Sequence, residues 1–576
     1  MEEYSVDKEI LAPRDPRANF QNYQEMYERF RWEDAENNFS WHDSGKVNMA
    51  HEAIDRHAQG WRKNKVALYY VDDFREEKYT FQDLMLLSNR FANVLRKLGI
   101  RKGDRIFVFM PRSPELYIAF LGIAKVGAIV GPLFEAFMEE AVRDRLRDSE
   151  AVAVITTHAM KDRVPQDDLP SLKHVILVTG DDPAERGYIS YEEEMEAASD
   201  KIDMEWLERD DPLILHYTSG STGKPKGVVH IQNAMIGHFQ TARWVLDLRD
   251  EDTYWCTADP GWVTGTSYGI YGPWLNGVSS LVRGGRFSVD SWYATIEKYK
   301  VTVWYSAPTA FRLMMSAGDE VVDKYDLSSL RLIYSVGEPL NPEVIRWALR
   351  VFGQPIHDTW WMTETGMQLI SNYPSMPIKA GSMGKPFPGV MAAILDDQGK
   401  ELPPNQVGNL AIKRGWPSMM KEIWKNKEKF QEYFPFDGWY ISGDSAFKDE
   451  DGYFWFQGRV DDVIKTSGER VGPFEVESKL LEHPAVAEAG VIGKPDPVRG
   501  EIIKAFISLR PGYNGSEELE EEIARFVKRG LAAHAAPREI DFRESLPKTR
   551  SGKIMRRVLK AWELGLPTGD LSTMED

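Results

Sequence analysis

A segment rich in glycine and hydroxyl side chains, Tyr217–His230, has the composition of a phosphate-binding loop. It reads YTSGSTGKPKGVVH and directly follows the apolar stretch PLILH. Its backbone N–H groups, hydroxyls and lysines are suited to phosphate oxygens. The loop is not a Walker A motif, because only two residues separate Gly220 from Gly223 and Lys224 is followed by proline. The apolar stretch before the loop and the pattern IQNAMIGHFQTARWVL after it predict a strand, a loop and a helix in succession.

The strands and helices that position this loop can be predicted from the sequence pattern. Short apolar runs alternate with helix-length segments over most of the first 360 residues. Runs such as RIFVFMP, AVAVITT, VTVWYSAP and LRLIYSVGEP are typical of buried, largely parallel strands, so we predict layered α/β structure. After about Pro388, shorter strands with turn residues predict a β-rich subdomain. We expect a large N-terminal domain at 1–458, a hinge at 459–462 and a small α+β domain at 463–576.

Composition and charge disfavour several classes of protein. The chain has 71 Lys+Arg and 89 Asp+Glu, and the net charge of −18 disfavours nucleic acid or an anionic membrane as the main partner. Lys125 and two glycines interrupt the apolar stretch Leu116–Phe134, so we predict a core helix followed by a buried strand rather than a membrane span. The single cysteine, Cys256, and a start without signal-peptide features favour a cytoplasmic location.

Five further motifs follow the loop along the chain. They are GEPLNPE at 337–343, DTWWMTETG at 358–366, YISGD at 440–444, GRVDDVIKTSGERV at 458–471 and PKTRSGKIMRR at 547–557. Together with the loop, they resemble the ordered motifs of the adenylate-forming superfamily, which contains acyl-CoA synthetases, peptide-synthetase adenylation domains and luciferases. The early WHDSGKVNMAHEAIDRH, DPGWVTGTSYGIYGPW and the double tryptophan resemble the AMP-forming short-chain acyl-CoA synthetases, above all those that activate acetate.

The resemblance implies a reaction in two steps. A carboxylate attacks the α-phosphate of ATP, which releases pyrophosphate and leaves an acyl-AMP, and the thiol of CoA then displaces AMP. The first step brings two anions together, so the site must supply cations and directed hydrogen-bond donors rather than a nucleophilic side chain. Mg²⁺ would accompany ATP, and CoA would be a co-substrate.

By the same resemblance, the nucleotide site draws on most of the motifs. Glu364 would hold Mg²⁺, and Thr363 would contact the α-phosphate. Asp444 would accept hydrogen bonds from the ribose hydroxyls, with Arg459 beside it at the ribose and α-phosphate. The residues that would wrap the β- and γ-phosphates are Thr218, Ser219, Gly220, Ser221, Thr222, Gly223 and Lys226. Those that would line the adenine and the adjoining part of the nucleotide are Gly337, Glu338, Pro339, Asp358, Thr359 and Trp360.

By the same resemblance, Lys553 in the C-terminal basic motif would be the catalytic lysine, which bridges oxygens of the carboxylate and the α-phosphate. The family rotates its mobile C-terminal domain between the two steps, and Asp461 matches the hinge residue. After rotation, Ser467 and Gly468 would leave room for pantetheine, and Arg470 would meet phosphate. We also expect a lysine acetyltransferase and a deacetylase to act on Lys553, because acetylation removes its charge.

The acyl pocket is expected to be bounded by Val263, Thr264 and Trp361. Relatives that accept longer acids tend to carry a small residue where Trp361 stands, so its indole would exclude butyrate and longer acids by steric clash. Acetate and propionate both fit such a pocket. Successive strand residues point to opposite faces, and we expect the neighbouring Trp360 to pack in the core. Met362 departs from the pattern, since glutamine is expected there in many of the acetate-activating relatives.

Four alternatives are weighed against acetate activation, of which a luciferase-like oxidase is disfavoured by the pocket for a short acid. A ligase for another small acid, propionate, would share these motifs. A peptide-synthetase adenylation domain would need a carrier-domain partner and usually a pocket aspartate for the amino group, and neither is visible in the sequence. A non-catalytic regulator that binds acyl-AMP is disfavoured, because Thr363, Glu364, Asp444, Arg459 and Lys553 are all present.

Overall fold

The structure is a computed structural model. It describes residues 10–12, 15–41, 44–179, 187–219, 225–466, 469–497, 499–531, 533–549, 553–568, 571 and 574. Within these ranges the strands form sheets of eight, nine, four and five strands and one two-stranded pair, Ile10–Leu11 with Ile378–Lys379. The two largest sheets are built mainly from parallel strands, as the continuous apolar runs predicted. The predicted α/β class, with a β-rich segment and a C-terminal α+β segment, is confirmed.

The eight-stranded sheet carries the predicted phosphate loop near one edge. Its strands, in spatial order, are Glu422–Ile423, Pro225–Ile231, Pro212–Ser219, Ile129–Pro132, Arg105–Phe109, Ala153–Thr157, His174–Val178 and Ile189–Ser190. The three pairs at the centre of this order join parallel strands through helical crossovers. All four residues of Ile129–Pro132 are buried, which matches a strand covered on both faces.

The nine-stranded sheet supplies the motifs that follow the loop. Its strands, in spatial order, are Lys385–Pro386, Ile370–Ser371, Ile356–Trp360, Leu332–Ser335, Val303–Ser306, Thr253–Cys256, Ser279–Arg283, Val66–Val71 and Glu76–Thr80. Because GEPLNPE and the end of DTWW come directly after two neighbouring parallel strands, they meet at the same edge of the sheet. This edge is where the candidate site forms.

Helices cover the faces of both large sheets. Helix Phe81–Lys97 begins with a capping box, in which Thr80 and Asp83 satisfy each other's backbone N–H groups. The α-helices are Tyr23–Arg29, Trp32–Glu36, Arg56–Ala58, Phe81–Lys97, Pro114–Lys125, Glu139–Ser149, Tyr191–Ala197, Ala234–Trp244, Val263–Thr266, Gly272–Leu275, Val289–Tyr299, Pro308–Ala317, Pro342–Phe352, Lys427–Glu432, Pro473–Leu481, Glu517–Gly530 and Arg556–Leu564. Shorter π and 3₁₀ segments lie at His51–Asp55, His158–Arg163, Ser267–Tyr271, Asp319–Lys324 and Val460–Asp462.

The most apolar stretch of the chain is a core helix followed by a buried strand, as predicted. Helix Pro114–Lys125 is buried along eleven of its twelve residues, and the strand Ile129–Pro132 follows it. Lys125 at the end of the helix is fully buried, and its ammonium bonds Asp55 (2.7 Å) and Asn89 (2.6 Å). None of the helices in the described part of the chain is long and apolar enough to cross a membrane.

The two smaller sheets lie in the C-terminal part of the sequence. The four-stranded antiparallel sheet contains Ala392–Leu395, Gly408–Lys413, Trp439–Lys448 and Phe454–Arg459. The five-stranded sheet contains Glu469–Val471, Ile464–Thr466, Gly500–Leu509, Val486–Asp496 and Glu539–Phe542. Between the two sheets the chain passes through the single 3₁₀ turn Val460–Asp462, at the position predicted for the hinge.

One predicted element is wrong. The helix predicted in IQNAMIGHFQTARWVL is present as Ala234–Trp244, but the residues just before it, predicted as part of the loop, form the strand Pro225–Ile231. This strand pairs antiparallel with Pro212–Ser219 on one side and with Glu422–Ile423 on the other. The apolar GVVHI is buried between these partners, which favours a strand. The strands on the two sides of the predicted loop therefore pair with each other, and the helix follows the second strand.

Candidate active site

The antiparallel strands Pro212–Ser219 and Pro225–Ile231 flank the predicted phosphate loop. Thr218 and Lys226 lie directly opposite each other in the antiparallel pair. The hydroxyl of Thr218 is buried, and the described residues supply it with no hydrogen-bond partner. Among the predicted loop residues, Gly220, Ser221, Thr222 and Gly223 lie outside the described residues, and Ser219 is described only as the last residue of its strand.

Lys226 reaches the acidic residue that was predicted to hold the metal ion. Its ammonium lies 2.7 Å from Glu364 Oε1. The hydroxyl of Tyr433 donates to the same oxygen (3.0 Å) and contacts the ammonium, which also lies 4.7 Å from the centre of the Tyr433 ring. The side chain of Glu364 is 7% exposed, so a buried carboxylate is paired with an ammonium whose residue lies opposite Thr218 in the sheet.

Buried histidines and hydroxyls hold the turn that carries Thr363 and Glu364. Nε2 of His230 contacts the carbonyl of Thr363 (2.7 Å), and Nε2 of His238 contacts that of Gly366 (2.9 Å). Burial lowers the pKa of both histidines, that of His238 to about 3, so both are neutral donors. The carbonyl of Thr365 accepts from the Trp416 indole (2.8 Å) and the Ser418 hydroxyl (2.9 Å). The turn is therefore fixed from several elements.

A second corner of the site is built around Asp444. Its Oδ1 binds Arg459 (2.7 Å), and its Oδ2 accepts the indole N–H of Trp360 (2.8 Å). Arg459 also donates to the carbonyl of Ser442 (3.2 Å). Trp360 is buried, as predicted, but it also orients a functional side chain, which the sequence did not indicate. Asp444 and Arg459 therefore form an ion pair, and their role at the ribose and α-phosphate stays a prediction.

The GEPLNPE turn is held by the helix Pro308–Ala317, and the start of DTWW is held by the strand Leu332–Ser335. Glu338 accepts hydrogen bonds from the Thr309 hydroxyl (2.7 Å) and Arg312 (2.6 Å), which fixes the turn that also contains Gly337 and Pro339. The Ser335 hydroxyl donates to Asp358 Oδ1 (2.6 Å), and the Thr359 hydroxyl donates to the Ser335 carbonyl (2.8 Å). Burial raises the pKa of Asp358 to about 7.

Trp361 belongs to a buried polar and aromatic cluster. Its indole N–H donates to the Tyr305 hydroxyl (3.1 Å), and its ring packs edge-to-face on Tyr268, with centroids 5.0 Å apart. The predicted partners Val263 and Thr264 lie in the first turn of helix Val263–Thr266 and are half-buried. Val263 packs against the same apolar cluster that contains Trp361.

Lys553, in the C-terminal segment, lies near Glu338, Asp444 and Arg459, a group that we call the nucleotide corner. Its side chain is exposed, yet it lies within electrostatic range of Glu338, Asp444 and Arg459. Surrounding protein lowers the pKa of Lys553 by desolvation, and the cations Arg459 and Arg556 lower it further, while the two carboxylates oppose this shift. Charged residues from four separate motifs therefore lie near one another, and the role of Lys553 as the catalytic lysine stays a prediction.

The other residues assigned to the second step are placed only in part. Asp461 is exposed and lies in the 3₁₀ turn Val460–Asp462. Ser467 and Gly468 lie outside the described residues, and Arg470 is described only as part of the strand Glu469–Val471, in backbone register with Lys465.

Several residues of the site were not predicted from sequence. Tyr433 contacts Glu364, and Tyr305 contacts Trp361, but neither tyrosine lies in a quoted motif. Tyr268 and His230 lie within quoted motifs, but no role was assigned to them. His238 contacts the carbonyl of Gly366 and lies only in the predicted helix. In the described part of the chain, no three His, Cys, Asp or Glu side chains cluster in a way that could hold a metal ion.

Comparison with known proteins defines the class. The family model of the AMP-binding enzymes matches residues 54–424, and that of the AMP-binding enzyme C-terminal domain matches residues 475–553. The chain therefore belongs to the AMP-binding enzyme family, the adenylate-forming group that its motifs resemble.

Individual relatives show which members of this family the chain is similar to. The chain is 67% identical over 559 residues to the acetyl-coenzyme A synthetase of Bacillus subtilis (strain 168), covering 97% of this chain and 98% of that protein. It is 43% identical over 564 residues to the acetyl-coenzyme A synthetase of Methanothrix thermoacetophila, covering 93% and 86%. Among solved structures, a Brucella canis acyl-CoA synthetase matches with a TM-score of 0.75 and 38% identity over 95% of this chain and 99% of that one. The anthranilate CoA ligase AuaEII, in complex with anthranoyl-AMP, matches with a TM-score of 0.82 and 32% identity over 90% and 98%.

Proposed function

We propose that this protein is an AMP-forming acetyl-CoA synthetase, an acid–thiol ligase that converts acetate, ATP and CoA into acetyl-CoA, AMP and pyrophosphate. The observation that carries the proposal is the convergence of Lys553 on the corner formed by Asp444, Arg459 and Glu338. The high identity to a Bacillus subtilis acetyl-coenzyme A synthetase over nearly the full length of both chains supports acetate as the acid.

ATP enters this proposal as its magnesium complex, and the residues present fit that ligand. The buried, unpartnered hydroxyl of Thr218 offers a donor to a phosphate oxygen, and the Glu364 carboxylate offers an oxygen ligand to the ion. Mg²⁺ is usually bound through one or two carboxylates together with substrate phosphates, so one well-held carboxylate is sufficient. The ion would neutralise part of the triphosphate charge, and Lys226 would add a positive charge at the loop.

Adenylation then needs a positive group where two anions meet. Lys553 supplies it, by holding an acetate oxygen and an α-phosphate oxygen at the same time. Trp360 and Arg459 each bind one carboxylate oxygen of Asp444 and so fix the orientation of this carboxylate. In that orientation Asp444 binds the ribose hydroxyls. Thr363 faces the α-phosphate from the turn that His230 holds.

The second step is assigned to a rotated arrangement of the same chain. We place an N-terminal domain at 1–458, a hinge at 459–462 and a C-terminal domain at 463–576, since one 3₁₀ turn separates the four-stranded from the five-stranded sheet. Rotation about Asp461 would withdraw Lys553 and bring Ser467, Gly468 and Arg470 towards CoA.

The choice of acid rests on Trp361. Its indole is tied to Tyr305 and packed on Tyr268, so it is a rigid wall rather than a movable side chain. A rigid indole excludes longer acids by clash, while acetate and propionate differ by one methylene, which is worth only about 1–3 kcal/mol. Propionate is therefore the second candidate substrate.

The test is a product analysis with purified protein, Mg²⁺, ATP, CoA and a range of acids. We expect acetate-dependent release of equal amounts of pyrophosphate, AMP and acetyl-CoA, with the highest kcat/KM for acetate. Formation of ADP and phosphate, or pyrophosphate release that does not depend on a short acid, would contradict the proposal.

Regulation by acetylation belongs to the same proposal. The side chain of Lys553 is exposed in this orientation, so a modifying enzyme can reach its amine. Acetylation would remove the charge needed for adenylation and leave the rest of the site intact. A sample acetylated at Lys553 should lose acetate-dependent pyrophosphate release, and full retention of that activity would contradict the assignment.

A further inference from the structure

The hydroxyl of Tyr305 lies at the centre of a buried hydrogen-bond cluster behind the proposed acyl pocket. Tyr305 belongs to the strand Val303–Ser306 and is fully buried. Its oxygen contacts the indole N–H of Trp361 (3.1 Å), the side-chain amide of Gln368 (3.2 Å) and the hydroxyl of Thr359 (2.7 Å). One phenol therefore joins the indole that we assign to the acyl pocket to a residue that we predicted at the nucleotide.

The direction of each hydrogen bond at Tyr305 follows from the protons available. The Thr359 hydroxyl has one proton and donates it to the carbonyl of Ser335 (2.8 Å), so it acts as an acceptor towards Tyr305. Burial raises the pKa of the Tyr305 phenol above its ordinary value, so the phenol is protonated and donates to Thr359. The phenol oxygen then accepts from Trp361 and from Gln368. With one bond donated and two accepted, its hydrogen-bonding capacity is fully used.

A second tyrosine supports the same indole by packing. The ring of Tyr268 lies edge-to-face on Trp361, with centroids 5.0 Å apart. The hydroxyl of Tyr268 accepts the backbone N–H of Gln368 (2.8 Å) and contacts the hydroxyl of Thr241 (2.7 Å). Within the described part of the chain, however, the Tyr305 hydroxyl is the one acceptor of the Trp361 N–H. The orientation of the indole therefore depends on Tyr305.

We propose that Tyr305 is a positioning residue that sets the acid preference by holding Trp361 at the wall of the acyl pocket. This inference rests on the proposed function, because it concerns the acid that is activated. Without the phenol oxygen the buried indole N–H has no acceptor, and an unpaired buried donor is destabilising, so the ring moves from its place. Thr359 keeps its bond to the Ser335 carbonyl and stays oriented. The loss therefore affects the acid site rather than the nucleotide site.

The neighbouring strand supplies a matched control. Tyr334, in the strand Leu332–Ser335, is the register partner of Tyr305 in a parallel pair and is also fully buried. The described residues supply its hydroxyl with no hydrogen-bond partner. Tyr334→Phe therefore removes the same atom from an adjacent position in the core, but it removes no hydrogen bond. A difference between the two variants measures the effect of the hydrogen bonds at Tyr305.

The test compares kcat/KM for acetate and butyrate in Tyr305→Phe, Tyr334→Phe and the parent protein at saturating ATP and CoA. In Tyr305→Phe we expect the ratio of butyrate to acetate to rise about 10-fold, the lower end of what one methylene is worth in a pocket. KM for acetate should rise, while KM for ATP stays close to the parent's. In Tyr334→Phe the ratio and both KM values should stay unchanged. Circular dichroism checks that each variant is folded.

A second variant tests the bond between Tyr305 and Thr359. Thr359→Val keeps the shape of the side chain and removes the acceptor of the phenol proton. The phenol is then free to rotate its proton, which weakens its bond to Trp361, so the ratio should rise, but less than in Tyr305→Phe. The double variant should shift the ratio no further than Tyr305→Phe alone, because both changes act through the same hydroxyl.

An unchanged ratio in Tyr305→Phe, or an equal rise in Tyr334→Phe, would overturn the inference. Additive shifts in the double variant would overturn the link through Thr359. If Tyr305→Phe does not fold, an unchanged ratio in Thr359→Val overturns the inference by itself. If the parent protein shows no acetate-dependent release of pyrophosphate, the proposed function fails instead, so the two failures are distinguishable.

Discussion

At the scale of single residues, the double tryptophan serves two different parts of the site. Trp360 donates to Asp444, while Trp361 donates to Tyr305 and packs on Tyr268. Because successive strand residues point to opposite faces, the sequence predicted that the two indoles point in different directions. It did not indicate which residues they contact. The partner of Trp360 lies 84 residues further along the chain, a separation that no local pattern can predict.

Replacing Trp361 should therefore change which acid is activated. Trp361→Gly opens space for several methylenes, each worth about 0.8 kcal/mol when buried. We expect kcat/KM for acids of four to six carbons to rise several-fold to hundreds-fold, which corresponds to about 1–3 kcal/mol. The kcat/KM for acetate should fall, because acetate no longer fills the pocket. Steady-state kinetics with a series of straight-chain acids measures both effects.

Trp360→Phe is the matched control for this prediction. It keeps an aromatic ring in the core but removes the hydrogen bond to Asp444, so KM for ATP should rise while the preference among acids stays unchanged. If circular dichroism shows that Trp361→Gly is folded and its substrate preference does not shift to longer acids, Trp361 does not bound the acyl pocket.

At the scale of elements, the sequence predicted most strands of the two large sheets but not their spatial order. Parallel strands are buried on both faces and appear as continuous apolar runs, which single-sequence patterns detect well. Their neighbours are set by long-range pairing, as where Ser279–Arg283 pairs with Val66–Val71. The strand Pro225–Ile231 was missed, because glycine and proline at its start resemble loop residues and a helical pattern follows closely.

The 3₁₀ turn at the predicted hinge makes a directional prediction possible. A 3₁₀ conformation has a φ close to the −65° that proline imposes, so Asp461→Pro is compatible with the orientation seen here. In this orientation Lys553 lies at the nucleotide corner. We expect Asp461→Pro to keep adenylation and to slow thioester formation strongly, as measured by the two half-reaction assays.

Asp461→Ala is the control for the hinge, because it removes the same carboxylate but leaves the backbone free to rotate. It should slow thioester formation much less than proline does. Equal rates of both half-reactions in Asp461→Pro and the parent protein would remove the hinge assignment.

At the scale of the whole molecule, the site exists only because two parts of the chain meet. Glu338 follows a strand of the nine-stranded sheet, Asp444 and Arg459 lie in the four-stranded sheet, and Lys553 follows the five-stranded sheet. The motifs predicted which residues take part, since each lies in a short recognisable string. The contacts that orient them, such as Tyr433 on Glu364, arise from tertiary packing and were not predictable.

Lys553 should therefore be needed in one orientation of the molecule only. Lys553→Ala should reduce adenylation by at least the 100- to 1,000-fold, about 2.7–4 kcal/mol, that follows loss of one charge-stabilising donor. Thioester formation from supplied acetyl-AMP should survive, because Lys553 is withdrawn in that step. Lys548→Ala, which removes a nearby lysine bound to Glu488, is the control. A similar loss of both half-reactions in Lys553→Ala would show that the role is misassigned.

The most direct test of an acyl-adenylate mechanism follows one oxygen atom. The enzyme is supplied with ATP, CoA, Mg²⁺ and acetate labelled with ¹⁸O in its carboxylate, and the AMP formed is examined by mass spectrometry. An acetate oxygen that attacks the α-phosphate stays on phosphorus when the thiol breaks the carbon–oxygen bond, so each AMP should carry one ¹⁸O. Unlabelled AMP alongside acetyl-CoA would contradict the account.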